Sequence, residues 1–216
     1  MGLRTLRLVC FDLDGTVMVR PNSLQLLLHL NHAPPDRMLD IDHREETGAL
    51  HWIAADHERA PYVAGLPVAA IEQHLDEELQ AIGNLQDVLD ALGNAGVLTA
   101  LITSGPVEVA EAFARRFPFD HCFGSDFESE RGIYTGTIAA HLGSTGKVDS
   151  LRGLCSSTGL SLQDCAAVGD GASDLDLFAR VGLAIGVNCP PKVARCVSHT
   201  VYGDDLRPIL QLLLPH

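Results

Sequence analysis

Asp12 and Asp14 stand two residues apart at the end of the apolar run Leu8-Val9-Cys10-Phe11. That spacing can bring both carboxyl groups to one side of the chain. Two like charges so close raise one another's pKa unless a cation neutralises them, and a hard divalent ion is the natural neutraliser. Mg²⁺ takes one or two carboxylates plus water and phosphate oxygens, so it suits a site with few protein ligands and an anionic substrate. Asp170 and Asp174, four apart, add carboxylates after a second apolar run, where Gly169 and Gly171 let the backbone approach closely. Ser104-Gly105-Pro106 follows a third run and offers a hydroxyl and free backbone N–H groups just before a helix, an arrangement ready to bind an anion. Lys147 is one of only two lysines, beside thirteen arginines, and a compact ammonium can hold a phosphate as a point charge.

Each of these signals has a plainer reading when taken alone. An Asp-Gly pair often marks a turn, a serine before a helix caps it, and a lone lysine is usually a solvated surface group. Their joint occurrence at the ends of apolar runs is what points to chemistry, and the elements that position them must therefore be strands. Leu8 to Phe11, Val97 to Thr103, Cys165 to Val168, Leu183 to Val187 and the shorter His199 to Tyr202 read as strands buried on both faces. Between them lie helical patterns at Leu85 to Ala95, Val107 to Phe117, Val148 to Thr158 and Ser173 to Val181. This alternation predicts an α/β fold with a doubly wound parallel sheet, whose chemistry collects at the carboxyl edge of the strands. Residues 17–83 break the pattern, with helical stretches at Leu24 to His32, Asp36 to Ala55 and Val68 to Ala81 and no convincing strand, and read as an inserted helical cap. The core is then 1–16 and 84–216. Phe127 to Ile138 alternates and suggests a β-hairpin beside the sheet.

Composition narrows the partners. In 216 residues, 28 acids against 15 bases give a net charge of −13 with no basic run, which argues against nucleic acid. The longest apolar stretches, Leu24 to Leu30 and Ile209 to Leu214, fall far short of the roughly 20 residues of a membrane span. Met1 to Arg7 has no apolar leader, so a cytoplasmic protein is expected. The six cysteines contain no Cys-x-x-Cys pair and the ten histidines no His-Glu-x-x-His pattern, so neither disulfides nor zinc is expected.

Asp12-Leu13-Asp14-Gly15-Thr16, then Ser104-Gly105, then Lys147, then Gly169-Asp170-Gly171-Ala172-Ser173-Asp174, in that order, resemble the four motifs of the haloacid dehalogenase superfamily of phosphohydrolases. The likeness spans nearly the whole chain, and the cap position with the Gly-Asp-Gly form of the last motif resembles the phosphoserine phosphatase-like branch. The resemblance implies that Asp12 is the nucleophile and Asp14 the general acid and base. It implies Mg²⁺ held by Asp12, the backbone carbonyl of Asp14, and Asp170, with Asp174 supporting that shell. Ser104, Gly105 and Lys147 would hold the phosphoryl oxygens, helped by backbone N–H groups around Leu13 and Gly15. The expected activity is Mg²⁺-dependent hydrolysis of a small phosphorylated metabolite through an aspartyl-phosphate. A phosphotransferase or phosphomutase using the same intermediate is the alternative, and a phospho-accepting signalling module a more distant one.

The cap would close over the strand ends and select the leaving group. Phosphoserine phosphatases bind the amino acid there with a glutamate and an arginine, and in a gapless comparison those positions fall at Pro21 and His57. Neither supplies the needed charge, which argues against L-phosphoserine, although nearby Arg20, Glu45, Glu46 and Arg59 could compensate if the cap is offset. Trp52, the only tryptophan, is a candidate pocket residue or a core aromatic.

Overall fold

The computed structural model describes residues 6–214. Part of the expected leaderless start, Met1 to Thr5, lies outside them. The chain runs β1 (Leu8–Phe11), β2 (Met18–Arg20), α1 (Ser23–Leu30), α2 (Pro35–Glu46), α3 (Trp52–Arg59), α4 (Ala70–Glu78), β3 (Gln80–Ala81) and α5 (Leu85–Asn94). It continues through β4 (Leu98–Pro106), α6 (Val107–Arg116), β5 (His121–Glu130), β6 (Ile133–Ala140), α7 (Gly143–Thr158), β7 (Cys165–Gly169), α8 (Leu175–Phe178), β8 (Leu183–Val187) and β9 (His199–Val201).

Seven strands form one sheet in the order β6-β5-β4-β1-β7-β8-β9, parallel except for the antiparallel β5–β6 pair. The sheet is the α/β architecture expected from the sequence. In β1, Val9 and Phe11 enter one apolar cluster while Leu8 and Cys10 enter the other, on opposite faces of the strand. Burial on both faces explains why this strand reads as a continuous apolar run rather than an alternating one. Strand order reverses at β1, which is flanked by β4 and β7. A crevice opens at such a reversal, outside the carboxyl ends of the strands. Phe11 is level with Leu101 of β4 and Val168 of β7, and the Asp12 N–H donates to the Val168 carbonyl at 2.8 Å. The three chemistry-bearing turns thus emerge side by side.

Four expectations are corrected. The helix expected over Asp36 to Ala55 is two helices, α2 and α3, because the chain passes through Gly48 at φ +73°, a left-handed conformation that ends a helix. Residues 17–83 do contain strands: β2 and β3 form a two-stranded antiparallel ribbon at the two ends of this segment, too short to leave a periodic trace. The hairpin is part of the main sheet, since β5 begins at His121 and pairs in parallel with β4 before turning at Arg131-Gly132 into β6. The helix expected from Ser173 is a 3₁₀ turn, Ala172–Asp174, followed by the four-residue α8.

The hairpin also anchors the inserted segment. Gly65 N–H donates to the Tyr134 carbonyl at 2.9 Å and Tyr134 N–H to the Leu66 carbonyl at 3.0 Å. Arg115 and Arg116 of α6 pair with Glu72, and Arg116 also with Asp76, both acids on α4. Among the described residues no helix is long and apolar enough to cross a membrane.

Candidate active site

Asp12 follows β1 directly and is 7 % exposed, while Lys147 is wholly buried. Lys147 sits on the second turn of α7, which starts at Gly143, earlier than the apolar pattern from Val148 suggests, because glycines at 143 and 146 carry no periodic signal. Its Nζ donates to Asp12 Oδ1 at 2.6 Å and to Asp174 Oδ1 at 2.8 Å. Burial alone would lower the lysine pKa, but the two carboxylates outweigh it and hold the ammonium charged.

Asp12, Asp170 and Asp174 each offer a carboxylate oxygen, all within 4.8 Å of one another. One ammonium does not neutralise three such groups. Burial, and then the Asp174 charge, push Asp12 well above the ordinary carboxylate range, and the same causes put Asp170 at about 6. Thr16 Oγ1 donates to Asp170 Oδ1 at 3.1 Å. Oxygen donors this close, acidic and short of positive charge, fit a hard divalent cation.

The Asp14 carboxylate is not part of this close group and has its own partners. Ser23 N–H and Oγ, at the first residue of α1, donate to its two oxygens at 2.7 and 2.6 Å. Asn22 caps the helix by accepting from Leu24 and Gln25 N–H, which leaves the Ser23 N–H free for Asp14. Burial raises Asp14 to about 6, with the Ser23 bonds acting in the opposite direction. A carboxyl with such a pKa can hold or release a proton near neutrality.

Ser104 lies near the carboxyl end of β4, which runs on to Pro106, and its Oγ is buried with no hydrogen-bond partner among the described residues. Thr103 Oγ1 accepts the Gly105 N–H at 2.9 Å. A Cβ on Gly105 would fall 2.0 Å from Ser23 Oγ and 3.0 Å from Asp14 Oδ2, so a side chain there would displace that pair. Likewise a Cβ on Gly169 would come within 2.4 Å of Asp174 Oδ2, which explains the glycine before the third aspartate. Leu13 is fully buried and Gly15 lies against Asp170.

A cavity of about 470 Å³ unites these turns, with Asp12, Asp14, Ser104, Gly105 and Asp170 on one side. Trp52 lines the opposite wall together with Glu45, Asp56 and Arg59. His57 is not among the lining residues; its ring lies beside His141 with centroids 5.8 Å apart. Helical spacing explains the difference, since Trp52, Asp56 and Arg59 share one face of α3 and His57 falls beside it. Sequence reasoning missed Ser23, Thr103 and Asp56. Ser23 and Thr103 carry only an ordinary hydroxyl, and no local pattern separates Asp56 from other helical acids.

Comparison with known proteins agrees with this geometry. The family model of the haloacid dehalogenase-like hydrolases matches residues 9–179. A phosphoserine phosphatase of Halobacterium salinarum is 32% identical over 200 residues, covering 92% of this chain and 93% of that one. A phosphoserine phosphatase of Mycobacterium tuberculosis is 27% identical over 214 residues, 99% of this chain and 52% of the other, so the chain spans about half the length of that relative. A solved phospho-aspartyl intermediate analogue of phosphoserine phosphatase superposes with a TM-score of 0.82 at 22% identity, covering 97% of this chain and 99% of the other. A substrate-bound phosphoserine phosphatase gives 0.83 at 21%, covering 98% and 100%. At these identities the two structures speak for the fold. With three motifs lining one cavity, Lys147 of the remaining one bonded to Asp12 beneath it, and a family match across most of its length, the chain belongs to the haloacid dehalogenase-like hydrolases, within their phosphoserine phosphatase-like branch.

Proposed function

We propose that the chain is a Mg²⁺-dependent phosphomonoesterase that hydrolyses a small phosphorylated metabolite through an aspartyl-phosphate on Asp12. The observation that carries this reading is Asp12 Oδ1 held at 2.6 Å by the buried ammonium of Lys147, in a cavity that also receives the unpartnered Ser104 hydroxyl. Asp12, Asp170 and Asp174 are the residues that would hold the metal, with the Asp14 backbone carbonyl as a further donor. Bound Mg²⁺ would offset the charge of the carboxylates and of the phosphoryl group.

The protein's own groups account for the rest. Lys147 and Ser104 orient the phosphoryl oxygens, and the Asp12 carboxylate attacks phosphorus as the bond to the leaving oxygen breaks. Asp14, protonated at pH values below about 6 and readily protonated near neutrality, gives its proton to that oxygen. Water then attacks the phosphorus of the aspartyl-phosphate, passes its proton to Asp14, and inorganic phosphate leaves as the Asp12 carboxylate is restored. Residues 17–83 act as the cap, with α3 excluding water and choosing the leaving group.

The test is phosphate release by the purified chain with Mg²⁺, before and after treatment with a chelator. Asp12→Asn should lower turnover by at least ~10³-fold, since the nucleophile is lost while the fold remains. An Asp12→Asn protein with unimpaired turnover would refute the mechanism. The names of the relatives place L-phosphoserine among the esters to be assayed, but the charges of the cap wall argue for a different leaving group.

A further inference from the structure

The cavity wall built by α2 and α3 has its one guanidinium already committed. Arg59 donates through one terminal nitrogen to Asp42 Oδ1 and Glu45 Oε2, each at 2.6 Å, and through the other to Asp56 Oδ1 at 3.3 Å. Its side chain keeps only 11 % exposure. Asp56 Oδ2 in turn lies 3.0 Å from His141 Nε2, and the Gly143 N–H donates to His141 Nδ1 at 3.0 Å. Nδ1 is therefore the acceptor and Nε2 the protonated nitrogen, so this ring is neutral and adds no charge. Of these three carboxylates Glu45 and Asp56 line the cavity, so the wall sets two acids against one guanidinium, and Asp42, outside the lining, draws further on that same guanidinium.

Glu45 and Trp52 face the cavity directly. Glu45 lines the cavity, and its second oxygen, Oε1, takes no hydrogen bond from the described residues. Trp52 lines it one helix away, and an indole face attracts cations. The adjoining opening, about 680 Å³, carries Arg20 and Glu78 together with Asp14 and Asp170, so it supplies no compensating positive field.

Resting on the phosphomonoesterase reading above, we infer that the leaving group bears an ammonium and no carboxylate: the substrate is the phosphate ester of a small amino alcohol. An amine entering beside Glu45 and Trp52 meets unsatisfied negative charge and an aromatic face. A carboxylate in the same place meets like charge, because Arg59 already serves three acids. A neutral polyol gains from neither. The phosphoryl chemistry is unchanged; the wall decides which ester dwells in the cavity.

The experiment compares kcat/KM with Mg²⁺ for O-phosphoethanolamine, L-phosphoserine, glycerol 3-phosphate and p-nitrophenyl phosphate. O-phosphoethanolamine should exceed L-phosphoserine and glycerol 3-phosphate by at least about tenfold, and Glu45→Gln should reduce that ratio by about tenfold, chiefly through KM. Raising the salt concentration should shrink the wild-type ratio as the wall is screened, a reading that needs no variant to fold. L-phosphoserine turned over as well as or better than O-phosphoethanolamine overturns the inference and leaves the phosphatase intact. A ratio indifferent to salt, or to Glu45→Gln in a folded variant, also overturns it. Hydrolysis of none of the four esters, p-nitrophenyl phosphate included, defeats the phosphomonoesterase reading itself.

Discussion

The charges around Asp12 work against the stability of the metal-free protein. Asp14 and Asp170 both move from 3.8 to about 6 on folding, with burial the largest cause in each. As pH rises through this window the unfolded chain gives up these protons before the folded one does, so the folded state loses stability between about 4 and 6. Without metal, the melting temperature at pH 5 should therefore exceed that at pH 7.5, as calorimetry in a chelator would register. The acids held low by arginine partners, such as Asp205 at about 2, are largely ionised in both states above about pH 5 and leave the sign of this comparison unchanged. Asp170→Asn removes one buried like charge, an effect on the order of 2–3 kcal/mol at pH 7.5. It should raise the metal-free melting temperature by several degrees and abolish the further rise that Mg²⁺ gives the wild type. A variant that melts lower than wild type in chelator would contradict this account of Asp170.

Elements matter here chiefly through where they end. The carboxyl ends of β1, β4 and β7 are neighbours because β1 is central and parallel to both, and α7 drives Lys147 between Asp12 and Asp174. Gly169 closes β7 directly against Asp174, so Gly169→Ala should displace that carboxylate and loosen its bond to Lys147. The expected result is a large loss of kcat with the circular dichroism spectrum preserved; wild-type kcat would show that Asp174 need not hold its place. At the opposite wall, His141 ties α3 to the start of α7 through Asp56 and Gly143. His141→Ala removes both bonds, a cost of about 1–3 kcal/mol and a fall in melting temperature of several degrees. Thermal melting with saturating Mg²⁺ measures it, and an unchanged midpoint would mean that water replaces the ring without cost.

At the scale of the whole molecule, a net charge of −13 and an anionic substrate oppose each other, so binding depends on a local positive focus. Lys147 is its only fixed ammonium, and the metal is the expected remainder. Mg²⁺ should consequently lower KM as well as raise kcat, and KM should fall further at moderate salt, where the long-range repulsion is screened. Steady-state kinetics across Mg²⁺ and salt concentrations test both, and a metal effect confined to kcat would remove binding from the metal's duties. The segment between β1 and α5 is fastened by β6, by the arginines of α6, by His141 and at Gly83, whose N–H donates to the Asp204 carbonyl. That fastening limits the freedom of α3 and so keeps its charges over the cavity.

How much of this was legible beforehand follows from the range of the interactions involved. Asp12, Asp14, Ser104, Lys147 and Asp170 could be singled out from residue type and local spacing, because a strand buried on both faces writes itself as an apolar run and its end as a polar break. The parallel sheet followed from the same alternation. The short ribbon of β2 and β3, the split between α2 and α3, and the early start of α7 left no periodic trace, since each depends on one glycine or on pairing between residues about sixty apart. Ser23 holding Asp14, and the turning of Arg59 rather than His57 toward the cavity, were decided only by the tertiary structure. Motifs belong to the backbone's immediate neighbourhood, whereas the charge of the cap wall depends on which face of α3 packs inward, a choice settled by contacts far apart in the chain.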